Sequence, residues 1–214
     1  MVRDQRKGEA RKERILEAAL GVFSRRGYRD AAMDDIAGES ETSKGGVYFH
    51  FPNKQTIFLA LLDRMASLLM RRAESAIEAE PDPIKRIDAA LLMVLRTFGD
   101  HRSLARLFLV EAMGAGREFN DKMLEIRANF AGLITRRLDE AVAAGAIPPL
   151  DTHLAGIAWF GALNEVVTHW VLTEDPEPLE HHYPALRDLL RRSIGVSGVL
   201  IEDQPTDGTN NGSW

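Results

Sequence analysis

Cysteine is absent from the 214 residues. That excludes disulfides, thiolate metal sites and a cysteine nucleophile, and it suits a reducing cytoplasm. No apolar run approaches the ~18 residues a membrane-spanning helix needs, so no membrane partner is expected. The N-terminus is charged and has no apolar core segment, unlike a secretory signal. No alternating strand pattern and no internal repeat is visible. A phosphate-binding glycine loop, a G-x-S-x-G elbow and an H-E-x-x-H pair are also missing. The paired histidines His181 and His182 sit in a Pro-rich connector and read as exposed. The expectation is a protein that is not an enzyme and carries neither cofactor nor metal.

Positive charge is in short supply overall, with 27 Lys and Arg against 32 Asp and Glu and a net charge of −5. Its distribution is uneven. Residues 1–54 hold 11 Lys and Arg against 9 Asp and Glu, while the remainder holds 16 against 23. The positive potential therefore lies at one end. Arg3, Arg6, Lys7 and Arg11 can enter a minor groove or lie along a nucleic-acid backbone. A solvated, frayed arm is the alternative.

What is present is helix after helix. Ile15, Leu16, Ala19, Leu20 and Phe23 recur at helical spacing and predict a first helix over about residues 8–26, stopped by Gly27. A short second helix is expected over about 33–39, with Asp34 and Asp35 in the first turn, where the helix dipole favours negative charge. Asp30 is its nearest capping candidate. A third helix over about 42–49 follows a turn of the length that joins the two helices of a helix-turn-helix. A long fourth helix starts after Asn53, which can cap it. Further helices are expected over 84–100, 103–113, 118–144, 151–172, capped by Asp151 or Thr152, and 184–196. The prediction is an all-α fold of about nine helices, with a small N-terminal unit, a larger C-terminal one and a disordered tail.

Residues 42–54, TSKGGVYFHFPNK, carry the chemistry. Thr42 and Ser43 can donate to phosphate at a helix start, and Lys44 can reach a base edge or a phosphate. Gly45 and Gly46 have no side chain to hold the helix off a groove. Their cost, about 1 kcal/mol each against Ala, suggests a close approach. Tyr48 can bond phosphate, and His50 can do the same or pack as a cap. Lys54 can pair with a phosphate. Val47, Phe49 and Phe51 read as anchors to the core.

These residues also carry a resemblance. Ile15 to Lys54, with Gly27-Tyr28, Met33-Asp34-Asp35-Ile36-Ala37, the run Ser43 to Phe51, and Asn53-Lys54, is similar to the tetracycline-repressor (TetR/AcrR) family of bacterial transcriptional regulators. The C-terminal two thirds resemble the family only in helical architecture. The resemblance implies a DNA-binding helix-turn-helix domain over 1–54, an effector-binding and dimerisation domain over 55–201, and a tail over 202–214. It implies a homodimer on a palindromic operator of double-stranded DNA, usually as a repressor, released by a small ligand. Two residues depart from the family's pattern. Glu41 stands where the turn commonly has Gly and takes a left-handed conformation poorly. Ala32 stands where Thr commonly caps the second helix.

In the C-terminal half, residues 151–172 are apolar nearly all round, so that helix must be buried on more than one side. With the last helix it suits a dimer interface built from Trp159, Leu163, Val166, Trp170, Leu186 and Leu190. A central helix of a monomer core is the alternative. Polar residues embedded in apolar stretches are candidate effector contacts: Glu111, Asn129, Asn164, Glu165 and His169. Each can equally be a satisfied core or interface group. Glu165 and His169 share a helix face, as a structural hydrogen bond or one edge of a metal site would need. The surrounding Leu, Phe, Met and Trp side chains favour an apolar or amphipathic effector. The rival reading is a helical interaction or small-molecule-binding module that does not touch DNA.

Overall fold

A computed structural model describes residues 2–112, 116–173 and 175–196. Among these residues there are nine α-helices and no strand: α1 Val2–Asp30, α2 Met33–Glu39, α3 Lys44–His50, α4 Lys54–Glu78, α5 Pro83–Gly99, α6 Arg102–Arg106, α7 Arg117–Ala143, α8 Thr152–Leu172 and α9 Tyr183–Ser193. A π-turn, Leu107–Glu111, continues α6, and a short 3₁₀ turn, Leu179–His182, precedes α9. No helix among the described residues is long and apolar enough to cross a membrane. The expected tail over 202–214 and the residues Met113, Gly114 and Ala115 lie outside the described residues.

Several boundaries have local causes. Asn53 accepts from Thr56 N–H at 2.9 Å and starts α4. Asp82 accepts from the amides of Ile84 and Lys85 and starts α5, and the bond from the Lys85 amide is the main reason its carboxyl lies below the usual range. Asp151 accepts from Leu154 N–H and starts α8. α1 begins well before residue 8, since its Arg, Lys, Glu and Gln are good helix formers. It also runs past Gly27, where φ 77 and ψ 165 kink the chain and Tyr28 is thrown inward. The single helix expected over 103–113 is broken instead: Ala112 N–H bonds to Leu107 C=O at 3.2 Å, a five-residue step.

The turn between α2 and α3 is a Schellman closure. Thr42 N–H bonds to Ala37 C=O at 3.2 Å and Glu41 N–H to Gly38 C=O at 3.3 Å. Such a closure needs a left-handed residue, and Glu41 supplies it at φ 51. At the other end of α2, Asp30 makes no cap. Ala32 is the cap residue, and the Asp35 carboxylate accepts its N–H at 3.1 Å.

Two main clusters form the core. The first joins α1, α2, α3 and α4 to α7 and the π-turn through Ile15, Phe23, Ile36, Val47, Phe58 and Phe119. It crosses the junction between residues 54 and 55. The second joins α5, α7, α8 and α9 through Leu95, Leu138, Trp159, Trp170 and Leu190. α7 and α8 touch closely at Gly156, where an added Cβ would stand 2.8 Å from Ala131 C=O. Gly156→Ala should lower stability by about 1–3 kcal/mol through overpacking. Gly132→Ala should raise it by about 0.5–1 kcal/mol, because only the far end of Arg136 lies near that position, at 3.8 Å. Thermal melts of both variants check the pair. Glu41→Gly should raise the melting point, by relief of about 1 kcal/mol of left-handed strain; an unchanged or lower melt would remove that reading of the turn.

Candidate nucleic-acid interface and effector cavity

α3 is held from behind. Val47 is fully buried and Phe51, one turn on, is nearly so. Ser43 caps the helix by accepting Gly46 N–H at 3.2 Å, while remaining exposed. Lys44, Gly45 and Tyr48 face solvent with it, and His50 is half-buried. Lys44 Nζ donates to Asp34 on α2, with contacts of 2.8 and 3.0 Å to its two oxygens. That hydrogen bond, and then the negative charge beside it, raise the Lys44 pKa.

The structure corrects three assignments in this stretch. Thr42 is buried and donates its hydroxyl to Ser40 C=O at 3.2 Å, so it braces the turn and is not a surface donor. Lys54 Nζ donates to the carbonyls of Arg29 and Ala31 at 2.8 and 2.9 Å and lies 4.8 Å over the Tyr28 ring. It closes the end of α1 and is not a free cation. Phe49 is no anchor: it is 84% exposed, the most open large apolar side chain on the head. The helical repeat carries the signal, since Val47 and Phe51 share one face and Phe49 lies opposite, about 200° round from Val47.

The two glycines differ. A Cβ on Gly45 would meet nothing within 4 Å, whereas on Gly46 it would stand 2.8 Å from Thr42 Cγ2. Gly45 keeps the outer surface low, and Gly46 makes room for the turn. Of the arm, Arg6, Lys7 and Arg11 are exposed; the Arg3 side chain lies outside the described residues.

In the larger half, a cavity of about 340 Å³ opens between α4, α5, α7 and α8. Its walls are apolar, with Leu62, Met65 and Leu69 from α4, Phe98 from α5, Phe130 from α7 and Phe160 from α8. Asn164 lines it. Asn129 lines a separate, more polar cleft of about 490 Å³ between α4 and α7. Glu111, Glu165 and His169 line neither. Glu165 and His169 face solvent on the outer side of α8. No group of three or more metal-ligating side chains is found among the described residues. The arginines Arg64, Arg72 and Arg137 line the cavity and were not singled out from sequence. The available signal was their spacing: Arg72 follows Leu68 and Leu69 by one turn, and Arg137 follows Leu133 and Ile134.

Glu111 has a different task. Its carboxylate accepts Tyr28 N–H at 2.7 Å and packs against Gly27, where an added Cβ would stand 3.2 Å from Oε2. Tyr28 stacks on Phe58 of α4 at 4.7 Å, and burial raises its phenol pKa. Phe108 and Leu109, in the same π-turn as Glu111, are cavity wall. One turn of chain thus touches both the cavity and the α1–α2 junction.

Four residues assigned to a dimer interface are core within one chain: Trp159, Trp170, Leu186 and Leu190 are all buried. Trp159 Nε1 donates to Ser193 Oγ at 3.0 Å and Trp170 Nε1 to Glu177 C=O at 2.8 Å. Leu163 and Val166 are half-buried. The large apolar side chains left open on α8 and α9 are Leu154, Ile157, Leu172 and Leu189, each about half exposed or more.

Residues 15–61 match the family described as bacterial regulatory proteins, tetR family, and residues 80–172 match the tetracyclin repressor-like C-terminal domain. The HTH-type transcriptional regulator TtgR of Pseudomonas putida is 30% identical over 184 residues, covering 81% of this chain and 86% of that one. The fatty acid metabolism regulator protein of Bacillus subtilis is 27% identical over 190 residues, covering 86% and 93%. The fold is shared with a crystal structure of the transcriptional regulator FadR from Bacillus subtilis in complex with stearoyl-CoA, at a TM-score of 0.78 and 23% identity over 87% of this chain and 99% of that one. An α3 anchored by Val47 and Phe51 and offered to solvent, on a body that encloses an apolar cavity, agrees with these matches: the chain belongs to the TetR family of helix-turn-helix transcriptional regulators.

Proposed function

We propose that this regulator is a cytoplasmic repressor that binds a palindromic operator as a homodimer and releases it when an apolar or amphipathic effector fills the cavity. The observation that carries this reading is the shared wall. Phe108 and Leu109 line the cavity, and Glu111 of the same π-turn holds the α1–α2 junction of the reading head. A ligand that displaces that wall has a mechanical route to α3. The acyl-CoA in the structure of a relative supports only the capacity of this fold to enclose a long chain.

On the operator, α3 lies in the major groove. Lys44, released from Asp34, reaches a base edge or phosphate. Gly45 admits close approach, Tyr48 and Ser43 bond phosphate, and Phe49 contacts a thymine methyl or sugar. Arg6, Lys7 and Arg11 follow the backbone, and His50 stands at the edge of this surface. The second copy docks on the open apolar faces of α8 and α9, through Leu154, Ile157 and Leu189, flanked by Leu163 and Val166.

Selection of bound genomic fragments gives the operator. On it, Lys44→Ala and Tyr48→Ala should each weaken binding by about 1–3 kcal/mol, and Lys44→Ala should reduce the salt slope by about 1 if it neutralises a phosphate. Undiminished gel-shift affinity in both variants would sink the assignment. For the dimer, Ile157→Arg with Leu189→Arg should yield folded monomers in sedimentation at micromolar concentration. A variant that stays dimeric would place the interface elsewhere.

A further inference from the structure

The cavity walls are apolar, yet the charges on them do not balance. Three arginines, Arg64, Arg72 and Arg137, share the lining with one carboxylate, Glu17. Arg64 is neutralised by two carboxylates on α1, Glu13 at 3.1 Å and Glu17 at 2.8 Å, although its buried Nη1 makes no hydrogen bond. The other two face fewer carboxylates and keep donors for a ligand. Arg137 gives Nη1 to both oxygens of Glu140, at 2.8 and 2.9 Å, but its Nε is buried and has no acceptor. Arg72 lines the same cavity, is exposed to water, and has no hydrogen-bond or ion-pair partner among the described residues, so its guanidinium is free to turn to a ligand. A buried guanidinium N–H without an acceptor is costly, and an arginine fork is shaped for carboxylate and phosphate oxygens.

These two arginines lie in the same half of the cavity. α4 and α7 run in the same direction, tied near their starts by Lys122 and Asp63 at 3.0 Å, and further along by Ala73 and Leu133 in one apolar cluster. Arg72 and Arg137 are therefore both distal to the reading head, while Arg64 is proximal to it. Between Arg72 and Leu62 the lining of α4 is Leu69, Leu68, Ala66 and Met65 apart from Arg64. That is about 15 Å of helix, room for a medium-length alkyl tail.

We propose that Arg72 and Arg137 form the head-group subsite of the effector, which is an amphiphile with an anionic head and an apolar tail. The head, a carboxylate or a phosphate, accepts from Arg137 Nε and from the Arg72 guanidinium. The tail runs along α4 toward Leu62 and Phe108, so its far end meets the π-turn. This deepens the repressor reading given above and rests on the cavity being the effector site.

The test is a fluorescence titration of the full chain, with Trp159 in the cavity wall as reporter. The probes share one dodecyl tail and are kept at monomer concentrations: dodecanoate, dodecyl phosphate, dodecanol and dodecyltrimethylammonium. At least one anion should bind roughly tenfold or more tightly than dodecanol, and the cation should bind most weakly. Whichever anion is preferred identifies the head. Arg72→Gln and Arg137→Gln should each erase most of that advantage while leaving dodecanol affinity unchanged, and Arg72→Lys should keep much of it. Equal binding of anion and alcohol, or an advantage that survives both Gln variants, overturns the subsite and leaves the cavity reading standing. Failure of all four probes to bind overturns the cavity reading as well.

Discussion

A single carboxylate holds the two halves of this chain in register. At Gly27 the backbone leaves helical geometry, and the next amide, Tyr28 N–H, finds an acceptor outside the helix. Glu111 supplies one from 83 residues further along the chain. A hydrogen bond to a charged acceptor contributes about 1.5–3 kcal/mol when shielded from water. The rest of the junction is assembled around it. Tyr28 stacks on Phe58, Phe58 meets Phe23 and Phe119, and Lys54 closes the carbonyls of Arg29 and Ala31. Glu111 reaches this point only because the π-turn adds one residue to the helical path. In plain α register its side chain would be turned by about 100°. The irregular turn is thus a condition of the contact, and it is also part of the cavity wall.

The helices were legible in sequence wherever local chemistry decides them. The bounds of α2, the Asn53 and Asp151 caps and the left-handed strain at Glu41 all follow from residues within a few positions of each other. What failed depended on which surface an apolar face meets. α8 is apolar nearly all round, and periodicity cannot tell burial within one chain from burial against a second copy. Trp159 and Trp170 turned out to serve the first purpose, while Leu154 and Ile157 stay open. Three of the polar candidates lie away from the cavity for a related reason. Glu111, Glu165 and His169 look alike as polar residues in apolar stretches, but one braces a distant loop and two face solvent. The cavity arginines were missed because a charged residue one turn beyond leucines reads as a helix edge until the opposing helix is in place.

The reading head combines a firm support with a sparse surface. Val47 and Phe51 fasten α3 to the core, so its position is set from the inside. Its outer side spends little on intrinsic stability: two glycines, a strained Glu41 and an open phenylalanine. Such a surface is tolerated because the first core cluster extends across residues 54 and 55 into α7, and the head does not have to fold on its own.

The Lys44–Asp34 pair bears on how such a protein searches a chromosome. Before contact, the main cation of α3 is already neutralised by its neighbour on α2, and the chain as a whole carries −5. The free protein therefore presents a weak long-range attraction to phosphate, apart from its arm. The pair is exposed on both sides and contributes little, so a phosphate or base edge can displace it. In the docking proposed above, a sequence that gives Lys44 a better acceptor than Asp34 would hold it, and discrimination would begin with that exchange of partners.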